Sequence, residues 1–279
     1  MYNVIVTEQQ TTIPSEHAEV PSNILVKEIE DPNDPDFLES YETVYKERFP
    51  EGERETLENL QQWLVRKKNH QLGEDNYHWL VAKIDGKVVG MTQCHYMADV
   101  RSGFNGFVAV MQRHSSTGAS DALVAQRTQR MEEDARQRGT ELRHLFSELD
   151  VVDENDPKKR ALKRLHWWKK RGVEALNMPW EFPRLNGEAE PTHMHLAARN
   201  RDPSQRPSFS REEIAKVIRA IYWSVYGFRE HPNIDKLIAQ IEKGPERIDP
   251  IELPSFRDIA SRQRDVRGSV GSTLVGENT

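Results

Sequence analysis

Two strand-like runs, Tyr77–Ile84 and Lys87–Met97, are separated only by Asp85 and Gly86. An Asp-Gly pair readily adopts the positive φ angles of a two-residue turn, so the runs are expected to fold back on one another as an antiparallel hairpin. A third strand-like run, Gly103–Met111, follows. Three strands in succession exclude the regular strand–helix alternation of a Rossmann sheet. Ahead of them, Asn23–Glu30 alternates as a strand. A helix then starts at Asp34-Pro35, with Asp as N-cap and Pro in the first turn. It carries Phe37, Tyr41, Val44, Tyr45 and Arg48 at helical spacing until Pro50 and Gly52 break it. A second helix places Leu57, Leu60 and Leu64 on one face. After the third strand a helix reaches about Arg138 and stops at Gly139, a C′ glycine. Leu142–Leu149 reads as a strand. Asp156-Pro157 opens another helix, which closes with Lys169, Lys170 and Arg171 before Gly172, cations where the helix dipole favours them. Val173–Phe182 and Pro191–Arg199 read as a final strand pair. The order specifies an α+β (mixed α/β) domain with a hairpin-rich mixed sheet.

Four segments are expected: a loose polar arm over residues 1–22, the α+β domain over 23–200, a helical extension over 208–245, and a disordered tail over 246–279 rich in Ser, Gly and Arg. A proline-bearing linker, residues 200–209, leads to the extension. There Ser210 and Glu213 form a capping box, and Ile214, Val217, Ile218, Ile221 and Val225 make one apolar stripe. A chain of 279 residues is long enough for a core that needs no covalent staples. With 45 acidic against 39 basic residues and a net charge of -6, it lacks the basic balance of a general nucleic-acid binder and mildly favours a cationic ligand. The single cysteine, Cys94, excludes an internal disulfide and zinc sites built on several cysteines, which fits a reducing compartment. The opening MYNVIVTEQQ lacks the basic and apolar regions of a secretory signal, and no apolar run approaches membrane-spanning length. A cytoplasmic protein without membrane insertion is expected.

The stretch V-M-Q-R-H-S-S-T-G-A-S-D-A-L-V-A-Q, residues 110–126, runs from the third strand through small polar residues into a helix. Small side chains before a helix either cap it as an ordinary polar loop or let an anion reach the unpaired amides of its first turn. No Gly-Lys-Ser/Thr follows, which disfavours a P-loop, and the glycines of a dinucleotide fingerprint are missing.

Together, element order and loop resemble the GNAT (Gcn5-related N-acetyltransferase) family over about Asn23 to Arg199. That family follows a strand valine with Q/R-x-x-G-x-G/A and a leucine in the next helix. Here Val110 leads to Ser115-x-x-Gly118-x-Ser120, with Leu123 in register; Ser115 departs from the usual Gln or Arg. Asp85-Gly86-Lys87-Val88-Val89-Gly90 resembles the family's turn between second and third strands, and Asp153-Glu154-Asn155 the segment after its fifth. The resemblance implies an acyl-CoA N-acyltransferase fold with a seven-stranded, mostly antiparallel sheet and flanking helices. It also implies acetyl-CoA as donor, with no metal, held by Val108, Val110, Ser115, Ser116, Thr117, Gly118, Ala119, Ser120 and Asn155. The acceptor would be an amine of a small molecule or peptide, and a homodimer is one assembly such relatives adopt. A longer acyl donor, or a module that binds CoA without transferring anything, are the alternatives.

Transfer to an amine of pKa about 10.4 requires removal of a proton. Glu148 is the first candidate base: it shares a strand face with His144 and Asp150, near the middle of the sheet, where burial would raise its pKa. His95 is the second. By resemblance, a main-chain amide around Val110 would receive the oxyanion. The family's thiolate-protonating tyrosine, four residues before the helix-ending glycine, corresponds to Trp168, whose indole cannot protonate a thiolate. The proton would then come from water or another residue, or catalysis is impaired; Tyr222 and Tyr226 qualify only if the C-terminal helix folds over the thioester. His193 and His195 share a strand face as a weak metal pair. Glu51 and Glu53, in the loop from Arg48 to Arg54, would border the acceptor by resemblance.

Overall fold

The computed structural model describes residues 23–49, 51, 54–151, 160–183, 192–202 and 204–251. The predicted hairpin forms: β2 (Asn76–Ile84) pairs antiparallel with β3 (Lys87–Met97) around Asp85 at φ 50° and Gly86 at φ 77°. β1 (Ile24–Ile29) flanks β2, and β4 (Ser102–Val110) flanks β3, both antiparallel. β5 (His144–Asp150) joins β4 in parallel and pairs antiparallel with β8 (Thr192–Asn200). The run expected as one strand over Val173–Phe182 is two short ones, β6 (Glu174–Ala175) and β7 (Glu181–Phe182), each paired with β8. The intervening Leu176 instead bridges to Pro250, and Asn177 N–H donates to Asp249 O, so this segment leaves the sheet to meet the C-terminal extension.

Helices cover both faces. On one face, α1 (Pro35–Ser40) continues through a π-helical turn, Tyr41–Tyr45, into α2 (Lys46–Arg48). It packs with α3 (Leu57–Lys68) over β2 and β3, around Phe37, Tyr45, Leu60, Leu64 and Trp79. Asp34 caps α1 as expected, its side chain accepting from Asp36 N–H, and Thr56 caps α3. On the other face lie α4 (Ala119–Gln137), closed by Gly139 at φ 66°, and α5 (Arg160–Lys169). Apolar residues of α4 meet the sheet at Val89, Val110, Cys94 and Leu145.

The extension returns to the first face. β9 (Phe209–Ser210) leads into α6 (Arg211–Ala220), whose Ser210–Glu213 capping box is present. A π-helical turn, Ile221–Val225, follows, then α7 (Pro232–Glu242) and β10 (Arg247–Ile248), which pairs with β9. Residues 247–251, expected as part of the tail, are thus tied down by strand pairing and by Ile251 N–H on Ala175 O; the arm and residues 252–279 lie outside the described residues. The predicted stripe Ile214, Val217, Ile218, Ile221 and Val225 is buried against Phe104, Phe146 and Leu196 of β4, β5 and β8. Each such side chain contributes roughly 1.5–3 kcal/mol of burial, so the extension shares a core with the domain.

At Gly103, α4 packs tightly on the sheet. A Cβ there would collide with Met131 Sδ and sit 2.8 Å from Leu145 Cδ2. Gly103→Ala should therefore cost about 1–3 kcal/mol by overpacking, read as a lower urea midpoint with unchanged slope.

Candidate active site

The parallel pairing of β4 with β5 lasts four rungs, from Ser102↔His144 to Asn105↔Ser147. The last rung is pinned by Asn105 Nδ2 donating to Ser147 Oγ at 3.1 Å. Beyond it, Gly106 and Phe107 together face the single residue Gln93 on β3, a β-bulge. A bulge bends and twists its strand, and here β4 parts from β5 while β5 stays paired with β8 up to Asp150. The gap opens toward Val110 and the loop of small residues.

That loop ends at Gly118, the N-cap of α4, at φ 87° and without a side-chain cap. The main-chain N–H groups of Ser116, Gly118, Ser120 and Asp121 have no acceptor among the described residues. Ser115 and Ser116 are exposed, and Ala119 N–H points at Thr117 Oγ1 at 3.4 Å. The Thr117 hydroxyl donates to His114 O at 2.8 Å, so it closes the turn and adds no donor for a ligand. This geometry fits a diphosphate: open amides, a helix dipole, and a left-handed position that a Cβ would strain. Val110 is buried against the α4 face and Val108 is half-buried at the gap; Asn155 lies outside the described residues.

On the opposite face a narrow cavity of about 60 Å³ opens beside the bulge, lined by Gly106 and Phe107 of β4, Glu148 of β5, Tyr226 of the extension, and Glu55 with Gln93. Glu148 is half-buried, and its Oε1 accepts from Trp180 Nε1 and from the Tyr226 hydroxyl, each at 2.5 Å. The C-terminal helix therefore does fold over the gap. Burial, then the nearby Glu148 charge, hold the Tyr226 hydroxyl well above its usual pKa. Tyr222 sits deeper and donates to Glu181 O.

Glu55, which sequence reasoning missed, is buried, with Oε2 accepting from Trp63 Nε1 and Oε1 from Gln93 Nε2, both at 3.2 Å. Burial pushes its pKa up to about 7, and the two hydrogen bonds only partly oppose this. Of the two loop acids considered, Glu51 is exposed and Glu53 lies outside the described residues. Glu55 directly precedes the α3 N-cap Thr56, which turns the chain inward there. His95 lies behind Gln93, whose Nε2 is 3.3 Å from His95 Nε2, and packs between the Trp63 and Tyr77 rings. Burial, followed by the His78 charge, lowers its pKa to about 3. It borders a separate groove of about 820 Å³ rather than the cavity at the gap. Trp168 is 9% exposed and packs with Leu149, Leu165, Val173 and Ala197, with Val108 of β4 against the same cluster. His193 is exposed and His195 half-buried on β8, and among the described residues no group of three His, Cys, Asp or Glu could hold a metal. No helix among them is long and apolar enough to cross a membrane.

Such a sheet, parted between its parallel strands and with a bare helix N-terminus at the mouth of the gap, has the form of a GNAT-type acyltransferase scaffold. Residues 35–167 match the Acetyltransferase (GNAT) family, so this part of the chain carries a GNAT domain. A putative GNAT-family acetyltransferase from Bacteroides thetaiotaomicron shares the fold with a TM-score of 0.50 at 16% identity, over 73% of this chain and 99% of its own. A putative GNAT acetyltransferase from Desulfovibrio desulfuricans has a TM-score of 0.43 at 15% identity, over 63% of this chain and 98% of its own. The paia N-acetyltransferase of Thermoplasma acidophilum, solved with coenzyme A, has a TM-score of 0.40 at 13% identity, over 63% of this chain and 98% of its own. No curated protein matches the chain.

Proposed function

We propose that the protein transfers an acetyl group from acetyl-CoA to a primary amine of a small molecule or peptide. The observation that carries this reading is the two-faced gap. Unpaired amides of the α4 N-terminus lie at its mouth, and two carboxylates, Glu55 and Glu148, line the cavity on the face away from α4. Gly118 and its neighbours would hold the diphosphate, leaving the thioester between β4 and β5.

The amine arrives as an ammonium ion, drawn by the carboxylates of a narrow cavity. Glu55 is proposed as the base, in place of the Glu148 expected from the sequence, because a carboxyl titrating at about 7 is matched to proton abstraction near neutral pH. Glu148 has one oxygen already committed to two donors, and it holds and orients the incoming nitrogen. The neutral amine then attacks the carbonyl carbon, and the amides of β4 beyond Asn105, which have no partner on β5, face the developing oxyanion.

Calorimetric titration with acetyl-CoA should give saturable binding to the wild type. Gly118→Val should weaken it about tenfold or more, because the left-handed φ costs a β-branched residue roughly 1–2 kcal/mol and the side chain intrudes on the diphosphate. Thiol release with acetyl-, hexanoyl- and palmitoyl-CoA across an amine panel reads acyl length and acceptor class. No binding of any of the three donors would reject the reading.

A further inference from the structure

The catalytic scheme leaves the departing sulfur without a partner, since the position of the expected tyrosine is Trp168. Beneath that indole lies a group the scheme has not used. Arg127 of α4 is 1% exposed, and its guanidinium carbon lies 5.3 Å from the centre of the Trp168 ring. Its Nη1 donates to Thr92 Oγ1 at 3.1 Å, and Thr92 in turn donates to Phe107 O in the β4 bulge at 2.9 Å. Thr92 belongs to β3 and faces β4, whereas Trp168 packs on Leu149 of β5. A guanidinium that touches both must lie under the strand between them, on the α4 side, where β4 leaves β5.

Arg127 has no carboxylate partner among the described residues, and its buried Nε–H has no acceptor. The charged groups around it are Arg171, beyond α5, and Arg199 of β8, both cations, with the buried Cys94 thiol of β3. Arg171 is itself engaged by Asp121 of α4. Burial lowers the Arg127 pKa to about 10, which leaves it cationic at neutral pH. A buried cation without an anion is costly, and evolution of a core would be expected to replace it unless an anion forms there during function.

We propose that Arg127 supplies the countercharge for the coenzyme A thiolate, taking over the part that a tyrosine at position 168 would play. The inference rests on the acetyl-CoA reading of the β4–β5 gap. When the tetrahedral adduct collapses, the C–S bonding pair goes to sulfur, the carbonyl re-forms, and the nitrogen loses its remaining excess proton to water. The thiolate stays paired with the guanidinium until water protonates it. No redox change occurs, and the indole of Trp168 braces the guanidinium beside the gap through a cation–π contact.

The test uses coenzyme A itself and needs no acceptor. The thiol of bound CoA is titrated by thiolate absorbance in the saturated wild-type, Arg127→Gln and Arg127→Lys proteins, each corrected by its ligand-free titration. In the wild type the bound thiol should ionise at least about tenfold more at a given sub-pKa pH than free CoA, a shift of one unit or more. Arg127→Gln should return it to the free value, while Arg127→Lys, which keeps the charge, should retain part of the shift. Equal thiol titration in wild type and Arg127→Gln, with both still binding CoA, overturns the proposal alone. Failure of the wild type to bind CoA overturns the acetyl-CoA reading and this inference with it. If Arg127→Gln does not fold, an unshifted thiol in the wild type suffices to overturn it.

Discussion

Glu55→Gln is expected to lower kcat/KM for acetyl transfer by about 10²–10⁴-fold, the usual contribution of a positioned general base. Glutamine keeps the size of the side chain and can still accept from Trp63 Nε1, so the cavity beside Gly106 should persist. What it removes is the proton acceptor that titrates at about 7. The wild-type rate should therefore fall on the acid side as pH drops through about 7, and the variant should lack that limb. Stability should move the other way. The folded pKa of Glu55 lies above its usual 4.5, so the native state binds more protons than the unfolded chain between these values and loses stability as pH rises through them. By about pH 8 the buried charge costs on the order of 3 kcal/mol, and the variant, never charged, should be more resistant to urea than the wild type. Glu148→Gln should instead disturb the contacts with Trp180 and Tyr226, raising KM for the amine while the acid limb remains. An acid limb that survives in Glu55→Gln and disappears in Glu148→Gln would reassign the base.

What was readable in the sequence is what short-range chemistry dictates. Asp85-Gly86, the Ser210–Glu213 box and the stop at Gly139 act within a few residues, and each stands in the structure where its local rule placed it. The small-residue loop stands out in the sequence, because a run such as Ser115 to Ser120 has no use in a core; its role toward the diphosphate is our proposal. The acids and cations of the candidate site were harder. Glu55 meets Gln93 across 38 residues, and Tyr226 meets Glu148 across 78. No periodicity links such pairs; they are brought together when α3 and the extension close over the same sheet face. Nothing local in the sequence distinguishes Arg127 from the other charges of α4; it is enclosed by the packing of α4 on the sheet and of Trp168 beside it. The split of Val173–Phe182 has the same origin, since Leu176 leaves the sheet for a bridge to Pro250, far along the chain.

His78→Leu should lower the unfolding free energy by about 3–5 kcal/mol, the range for removing one partner from a buried ionic network. His78 is buried on the α4 face, with Nδ1 2.6 Å from Glu28 Oε1 and Nε2 2.7 Å from Asp134 Oδ2. Lys67 and Arg130 also reach Glu28, at 2.6 and 2.8 Å, and Asn76 Nδ2 donates to Asp134 Oδ1 at 2.7 Å. Burial opposes charge on His78, but its hydrogen bonds to Asp134 and Glu28 outweigh this and raise its pKa above 6.5. Burial likewise opposes charge on Glu28, yet His78 and then Lys67 bring it from 4.5 down to about 2. The signs set a window. The His78 contribution is full below about 6.5 and fades as pH rises through its folded value; the Glu28 contribution is full above about 4.5 and fades as pH falls toward 2. The stability gap between wild type and His78→Leu should thus be widest between about pH 4.5 and 6.5 and narrow on both sides, in urea titrations across pH. A gap that stays constant with pH would mean that the leucine acts through packing alone. Because Asp134 lies on α4, loosening this network also frees the helix whose N-terminus we propose for the diphosphate, so the variant should bind acetyl-CoA more weakly at a pH where it is still folded.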